Sequence, residues 1–171
     1  AFHQINREDF VPNTSQMKAF DDIPLSIGYG QTISQPQVVS FMLELLNVQE
    51  GDKVLDIGSG SAYTTALLSK IVGKDGFVTG IEKVETLIDY GKQNLKKYAI
   101  KNAIILKASD SLGIENGHFD RILVSAASEY FPQDLLKQLN IGGTLVIPIK
   151  SSIFLIKKEE IGNKEYEYPG F

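Results

Sequence analysis

Five consecutive residues, Asp56-Ile57-Gly58-Ser59-Gly60, follow directly on the apolar pair Val54-Leu55, and a second carboxylate, Glu82, closes the next apolar run, Phe77-Val78-Thr79-Gly80-Ile81. A strand that ends in an acid and runs through a glycine turn into a helix gathers backbone N–H groups, a helix N-terminus and a carboxylate around one pocket. Neither Gly58 nor Gly60 carries a Cβ, so a cofactor can lie against bare backbone there. An acid inside the turn repels a pyrophosphate. The arrangement therefore suits a ligand without phosphate that brings a positive group, such as the amino acid end of S-adenosylmethionine. Glu82 stands where Rossmann-like sites place an acid on the ribose hydroxyls. A dinucleotide fingerprint needs a third glycine at position 63, which is Tyr63, and hydride transfer with NAD is disfavoured on that ground.

Short β-rich runs alternate with amphipathic segments, the pattern of an α/β, Rossmann-like, doubly wound and mostly parallel sheet with helices on both faces. Strands are predicted at Lys53 to Ile57, Phe77 to Ile81, Ala103 to Lys107, Arg121 to Ser125 and Thr144 to Ile149, with Ile153 to Lys157 returning as an antiparallel edge. Helices are predicted at Gln35 to Leu46, Tyr63 to Val72, Val84 to Tyr98 and Gln133 to Leu139. In the longest, Val84, Leu87, Ile88, Gly91, Leu95 and Tyr98 recur at steps of three and four and mark a buried face. Gly73-Lys74-Asp75-Gly76 and Gly113 to Gly117 read as surface turns.

The 171 residues suffice for one domain with a substantial core. Within it, 1–50 reads as a substrate-side segment, 51–150 as the cofactor-binding core and 151–171 as a C-terminal edge strand. With 17 basic against 21 acidic side chains, the net charge of −4 gives no general attraction to nucleic acid or to anionic membranes. The absence of cysteine excludes disulfides, thiolate metal sites and cysteine nucleophiles. His3 and His118 are far apart and read as surface residues rather than bases or ligands. No apolar run approaches a membrane span and no signal peptide is visible, so the expectation is a cytoplasmic protein.

Ahead of the sheet, Pro24 to Pro36 combines two glycines, an apolar interior and small hydroxyls, as expected of a lid or of a loop wrapped over the core. Ser34-x-x-Gln37 matches a capping box for the following helix, with Pro36 in the first turn where its missing N–H costs nothing. Capping does not exclude a second role for Ser34, because a helix N-terminus also presents free N–H groups to an anion.

Pro24 to Pro36, followed by Val54 to Tyr63, closely resembles the protein-L-isoaspartate O-methyltransferases. The string Gly28-Tyr29-Gly30-Gln31-Thr32-Ile33-Ser34 is specific to that family, whereas the Asp56 turn is shared by many methyltransferases. Arg7-Glu8-Asp9-Phe10-Val11-Pro12 is similar to the family's lead-in, and Phe119-Asp120, Val124 to Ala127, Gln138-Leu139 and Gly142 to Pro148 are similar to its later strands. The resemblance implies that Gly58, Ser59 and Gly60 contact S-adenosylmethionine with Asp56 near its amino acid end. It further implies that Glu82, with Lys83 beside it, holds the ribose, and that Asp110 lies beside the adenine with Ser109 at the pocket wall. Ser34 takes the active-site serine position, with Thr32 and Ile33 beside it as cofactor-binding residues.

The implied acceptor is the free carboxylate of an L-isoaspartyl residue, or a D-aspartyl side chain, in a damaged protein, and the implied enzyme is a monomer. Its methyl ester product collapses to a succinimide unaided. Ala62, Ser109, Ser111, Ser128 and Glu129 differ from the residues usual in the family, and the C-terminal segment is shorter. Two alternatives are a methyltransferase of the same fold with another acceptor and a non-catalytic S-adenosylmethionine-binding relative.

Overall fold

The computed structural model describes residues 1–171. Two short 3-10 turns, Arg7–Phe10 and Asn13–Lys18, lead into a hairpin of β1 (Leu25–Gly28) and β2 (Gln31–Ile33), and then into α1 (Pro36–Leu46). The core follows as β3 (Lys53–Ile57), α2 (Tyr63–Ile71), β4 (Phe77–Glu82), α3 (Glu85–Lys97), β5 (Ala103–Lys107), β6 (Phe119–Val124), α4 (Gln133–Gln138) and β7 (Leu139–Ile149). The chain closes with β8 (Ser152–Lys158) and β9 (Asn163–Pro169).

Seven strands form one sheet in the order β5-β4-β3-β6-β7-β8-β9. The first five in that order run parallel, and β8 and β9 are antiparallel to their neighbours. The chain winds outward from β3 through β4 to β5, then returns to the other side of β3 with β6. Ligands of open α/β sheets bind beyond the carboxyl ends of the strands at such a reversal. Here those ends are Ile57 and Val124, and they are held together where the Ser125 N–H donates to the Ile57 carbonyl at 2.7 Å.

The strand β3 is buried from Val54 to Ile57, as its position between parallel neighbours and two covered faces demands. Val54 joins the larger apolar cluster, which includes residues of α1, α2 and α3, while Leu55 and Ile57 join a second cluster with Leu135 and Leu136 of α4. The predicted face of α3 is the buried one: Leu87, Ile88, Gly91 and Leu95 are inside, together with Asn94, whose amide donates to the Ser61 carbonyl at 2.9 Å. The segment 108–118 between β5 and β6 forms no helix. Ile104 and Leu106 of β5 accordingly stay 41% and 42% exposed. No helix is long and apolar enough to cross a membrane.

Three expectations change. The antiparallel strand predicted at Ile153 to Lys157 is not the edge, because β9 pairs with it from Ser152 opposite Pro169 to Lys158 opposite Asn163. The stretch Pro24 to Pro36, expected as a lid or as a loop wrapped over the core, is more regular than a loop: Leu25 to Ile33 form a hairpin turned at Gly28, Tyr29 and Gly30, all three with positive φ. Gly113 is not at the surface. It is buried against Gln138, whose side chain accepts from the Ile114 N–H and donates to the Leu112 carbonyl. His3 and His118 are both exposed.

Candidate cofactor and acceptor site

The turn after β3 needs glycine twice. Gly58 has φ +79° and Gly60 +52°, and a Cβ on either would meet a neighbour at 3.0 Å: Ala126 Cβ beyond β6, and Ile27 Cδ1 of the hairpin. The turn is sewn to the end of β4. The N–H groups of Gly58 and Ser59 both donate to the Ile81 carbonyl, at 2.9 and 3.1 Å. Gly60 N–H donates to Glu82 Oε2 at 2.9 Å, while Glu82 Oε1 accepts from Lys83 N–H at 2.7 Å and Val84 N–H at 2.9 Å. The expectation that backbone N–H groups surround the pocket is thereby corrected at three positions: these donors are used inside the protein. These three donors are therefore not available to a phosphate, which adds to the preference, already set by the acid, for a ligand without one. A carboxylate oxygen has about two lone-pair sites, so Glu82 Oε2, bonded once, keeps one acceptor site open.

Asp56 lies beneath the turn and not on the pocket wall. It is fully buried; Thr65 of α2 donates its hydroxyl to Oδ2 at 2.6 Å, and Ser125 donates its own to Oδ1 at 2.7 Å. Burial raises the pKa of this carboxyl, the two hydroxyl donors oppose that rise, and the Glu82 charge adds to it. The expectation that Asp56 pairs directly with a positive ligand group therefore gives way to an indirect part, in which it fixes Thr65 and Ser125 under the turn. Sequence reading missed both hydroxyl residues. The available signal was position, since Ser125 ends the strand beside β3 and Thr65 falls in the first turn of α2. The Ser59 side chain also turns inward: its hydroxyl is buried without a partner, and its Cβ lies 3.0 Å from where a Cβ on Gly80 would be.

Ser109 and Asp110 sit exposed on the loop after β5, with the Ser109 hydroxyl 2.8 Å from that of Ser111. Ala108 N–H donates to the Glu82 carbonyl at 2.8 Å, which brings this loop alongside Glu82 at the carboxyl edge of the sheet. The Lys83 side chain is exposed, and its contribution at this edge is the N–H held by Glu82.

Ser34 follows the hairpin whose Ile27 sits on Gly60. Thr32 is exposed, Ile33 buried and Ser34 half-buried. The capping box expected at Ser34 and Gln37 does not form. The N-cap of α1 is Gln35, no side chain of its own caps the helix, and Pro36 occupies the first turn. Asp22 takes the capping role from outside the helix: its Oδ1 accepts from Gln37 N–H at 2.8 Å. The Ser34 hydroxyl is thus released from helix capping, and its carbonyl accepts from Arg7 Nη2 at 3.0 Å.

The lead-in is anchored by Phe10, fully buried, stacked on Tyr98 at the end of α3 and tilted against Tyr63 of α2. Burying such a ring contributes about 1.5–3 kcal/mol. Tyr98 donates its hydroxyl to Asp9 Oδ2 at 2.5 Å and accepts from Asn6 N–H at 2.9 Å, which fixes the same turn by polar contacts.

At the carboxyl edge of the sheet a strand reversal, a glycine turn whose N–H groups at 58, 59 and 60 are bonded internally, an acid with one open acceptor site and a hairpin folded over the turn come together, an arrangement suited to a nucleoside cofactor without phosphate. Comparison with known proteins agrees. The family model described as protein-L-isoaspartate(D-aspartate) O-methyltransferase matches residues 1–168. The protein-L-isoaspartate O-methyltransferase of Methanosarcina mazei is 42% identical over 166 residues, spanning 95% of this chain and 68% of that protein. That of Petrotoga mobilis is 44% identical over 174 residues, spanning 98% and 80%. The crystal structure of a Plasmodium falciparum protein assigned to the same activity, in complex with S-adenosyl-L-homocysteine, superposes with a TM-score of 0.86 at 27% identity, covering 99% of this chain and 84% of that one. Because the matched stretch takes in the lead-in, the hairpin, the glycine turn and the seven-stranded sheet but for the last residue of β9, the chain belongs to the protein-L-isoaspartate(D-aspartate) O-methyltransferase family.

Proposed function

We propose that this chain is an S-adenosylmethionine-dependent methyltransferase that esterifies the free carboxylate of L-isoaspartyl, or D-aspartyl, residues in damaged proteins. The observation that carries the reading is the family match over residues 1–168, which unites the hairpin with the glycine turn, two parts that the fold packs together through Ile27 and Gly60. When bound, S-adenosylmethionine supplies a methyl group on a sulfonium, ready for in-line displacement.

The acceptor is already ionised, since a free carboxyl group has a pKa of about 4. No general base is required, and the exposed positions of His3 and His118 are compatible with the chemistry. What the chain must supply is alignment and exclusion of water. In this reading Gly58 and Gly60 give the cofactor a close approach, and Glu82 Oε2 accepts a ribose hydroxyl. Asp110 and Ser109 border the adenine, and Asp56, Ser59 and Lys83 hold the turn and the β4 end in place. Thr32, Ile33 and Ser34 form the cover, with the Ser34 hydroxyl free to donate to the acceptor carboxylate.

The same reading treats residues 1–171 as one domain, with 1–50 on the substrate side. It makes the enzyme a cytoplasmic monomer acting on protein rather than on nucleic acid or membrane, which the acidic charge balance favours. The test is radiolabelled methyl transfer to an isoaspartyl peptide, its normal aspartyl twin and tRNA. Incorporation confined to the isoaspartyl peptide is expected. Incorporation into tRNA, or into none of the three by a chain that binds S-adenosylhomocysteine, would overturn the proposal.

A further inference from the structure

The lead-in residue Arg7 takes no part in the chemistry above, yet it is a buried charge, 3% exposed. Its partners are all backbone carbonyls: Nη1 donates to Ala19 O at 2.5 Å, and Nη2 donates to both Ile23 O at 3.1 Å and Ser34 O at 3.0 Å. A buried guanidinium needs such partners, and stability alone would be served as well by an apolar side chain. The choice of carbonyls is informative. Ile23 stands just before β1 and Ser34 just after β2, so one nitrogen closes the base of the hairpin.

On the far side, Asp22 Oδ1 holds Gln37 N–H at 2.8 Å. The short path Ser34-Gln35-Pro36 is therefore fixed at both ends, its first carbonyl by Arg7 and the helix behind it by Asp22. Burial works against the Arg7 charge, while the Tyr63 and Asp22 side chains work for it. Arg7 and Asp22 thus belong to one electrostatic group around the Ser34 backbone.

We propose that Arg7 and Asp22 are positioning residues for methyl transfer, which set the Ser34 backbone and with it the orientation of the acceptor carboxylate, without touching the cofactor. This rests on the reading of the chain as an isoaspartyl methyltransferase with its acceptor at Ser34. Lysine keeps the charge of Arg7 but is a point donor that cannot span three carbonyls in the plane of a fork. Alanine at 22 removes the acceptor that caps α1 from outside the helix, a loss of stability that the melting temperature registers separately from turnover, and asparagine restores an acceptor.

The experiment measures melting temperature, S-adenosylhomocysteine affinity by calorimetry, and kcat and KM for an isoaspartyl peptide in Arg7→Lys, Asp22→Ala and Asp22→Asn. A misplacement of about 1 Å costs on the order of 100-fold in rate, so Arg7→Lys should lose roughly 10- to 100-fold in kcat and keep cofactor affinity within about twofold, with KM nearly unchanged. Asp22→Ala should lose kcat in the same manner and Asp22→Asn should recover it. The proposal is overturned by kcat per folded molecule equal to wild type in Arg7→Lys and Asp22→Ala, or by cofactor affinity that falls in step with kcat. Should Arg7→Lys not fold, the Asp22 pair decides by the same criteria. A wild-type chain that binds S-adenosylhomocysteine but leaves isoaspartyl peptide unmethylated overturns the underlying reading instead, and the two failures are distinguishable.

Discussion

The Glu82 carboxylate accepts the Gly60 N–H at 2.9 Å and so ties the end of β4 to the turn that follows β3. The same side chain holds Lys83 N–H and Val84 N–H with its other oxygen, which makes it an organiser of the site before any ligand arrives. Hydrogen bonds to a charged group are worth about 1.5–3 kcal/mol. Glu82→Ala is expected to weaken S-adenosylhomocysteine binding by about that amount, and to lower stability as well, because three backbone donors lose their acceptor. Glu82→Gln keeps one acceptor oxygen and should fall between. Calorimetry and thermal denaturation check both effects, and unchanged affinity in Glu82→Ala would remove the ribose assignment.

Asp56 carries a pH signature that its burial dictates. Its folded pKa is raised by desolvation, against which the Thr65 and Ser125 hydroxyls act. For such a group the contribution to stability is fully present below the unfolded pKa of about 3.9 and is lost as pH rises through the higher folded value. Asp56→Asn does not titrate, and its amide can still accept from Thr65 and donate to the Ser125 hydroxyl. The melting temperature of the variant minus that of wild type is therefore expected to grow as pH is raised from about 4 to about 8. Paired thermal melts across that range are the measurement. A difference that does not change with pH would mean that the carboxyl is not desolvated as the geometry indicates.

Much of the sheet was legible because its strands are constrained on two faces. Lys53 to Ile57 and Phe77 to Ile81 read as apolar runs closed by turn residues, and β3 and β4 form there. The alternation of Tyr166 and Tyr168 with Glu165 and Glu167 was a strand signal of the same kind in β9, masked by the high exposure of that edge. Long-range contacts were not legible. Ser34 and Gln37 satisfy the local rule for a capping box, but Asp22 reaches the Gln37 N–H across 15 residues and displaces it. Asp56 read as a pocket acid because its partners, Thr65 and Ser125, are brought to it only by the packing of α2 and β6.

Ala62 is held at φ +68° as the N-cap of α2. A left-handed backbone costs a residue with a Cβ about 1–2 kcal/mol, yet the Ala62 methyl is fully buried and returns about 0.8 kcal/mol. The two offset each other in part, so Ala62→Gly should change stability by no more than about 1 kcal/mol. Gly91→Ala is different: its Cβ would lie 3.2 Å from Ala62 Cβ and 3.3 Å from the Gly60 carbonyl oxygen. Removing the Ala62 methyl frees that space. The double variant is expected to be more stable than the sum of the singles by about 0.5 kcal/mol or more, in a urea denaturation cycle. Strict additivity would show that the turn and α3 do not press on each other.

Ser34 is the residue on which the acceptor assignment turns, and its released hydroxyl separates two roles that sequence alone left together. A capping serine would cost about 0.5–2 kcal/mol of stability on replacement by alanine. Because Asp22 holds the helix instead, Ser34→Ala should stay within about 0.5 kcal/mol of wild type, and the capping loss should appear in Asp22→Ala. Turnover is expected to move the other way, with Ser34→Ala losing activity beyond any change in folded fraction. Ser34→Asp sharpens the test, since it sets a negative charge where the acceptor carboxylate must approach; like charges at that range repel, and peptide methylation should fall further than in Ser34→Ala while S-adenosylhomocysteine binding persists. Single-turnover rates with an isoaspartyl peptide, read beside calorimetric cofactor binding, decide it. A Ser34→Asp enzyme of full activity would place the acceptor elsewhere than at the end of the β1–β2 hairpin.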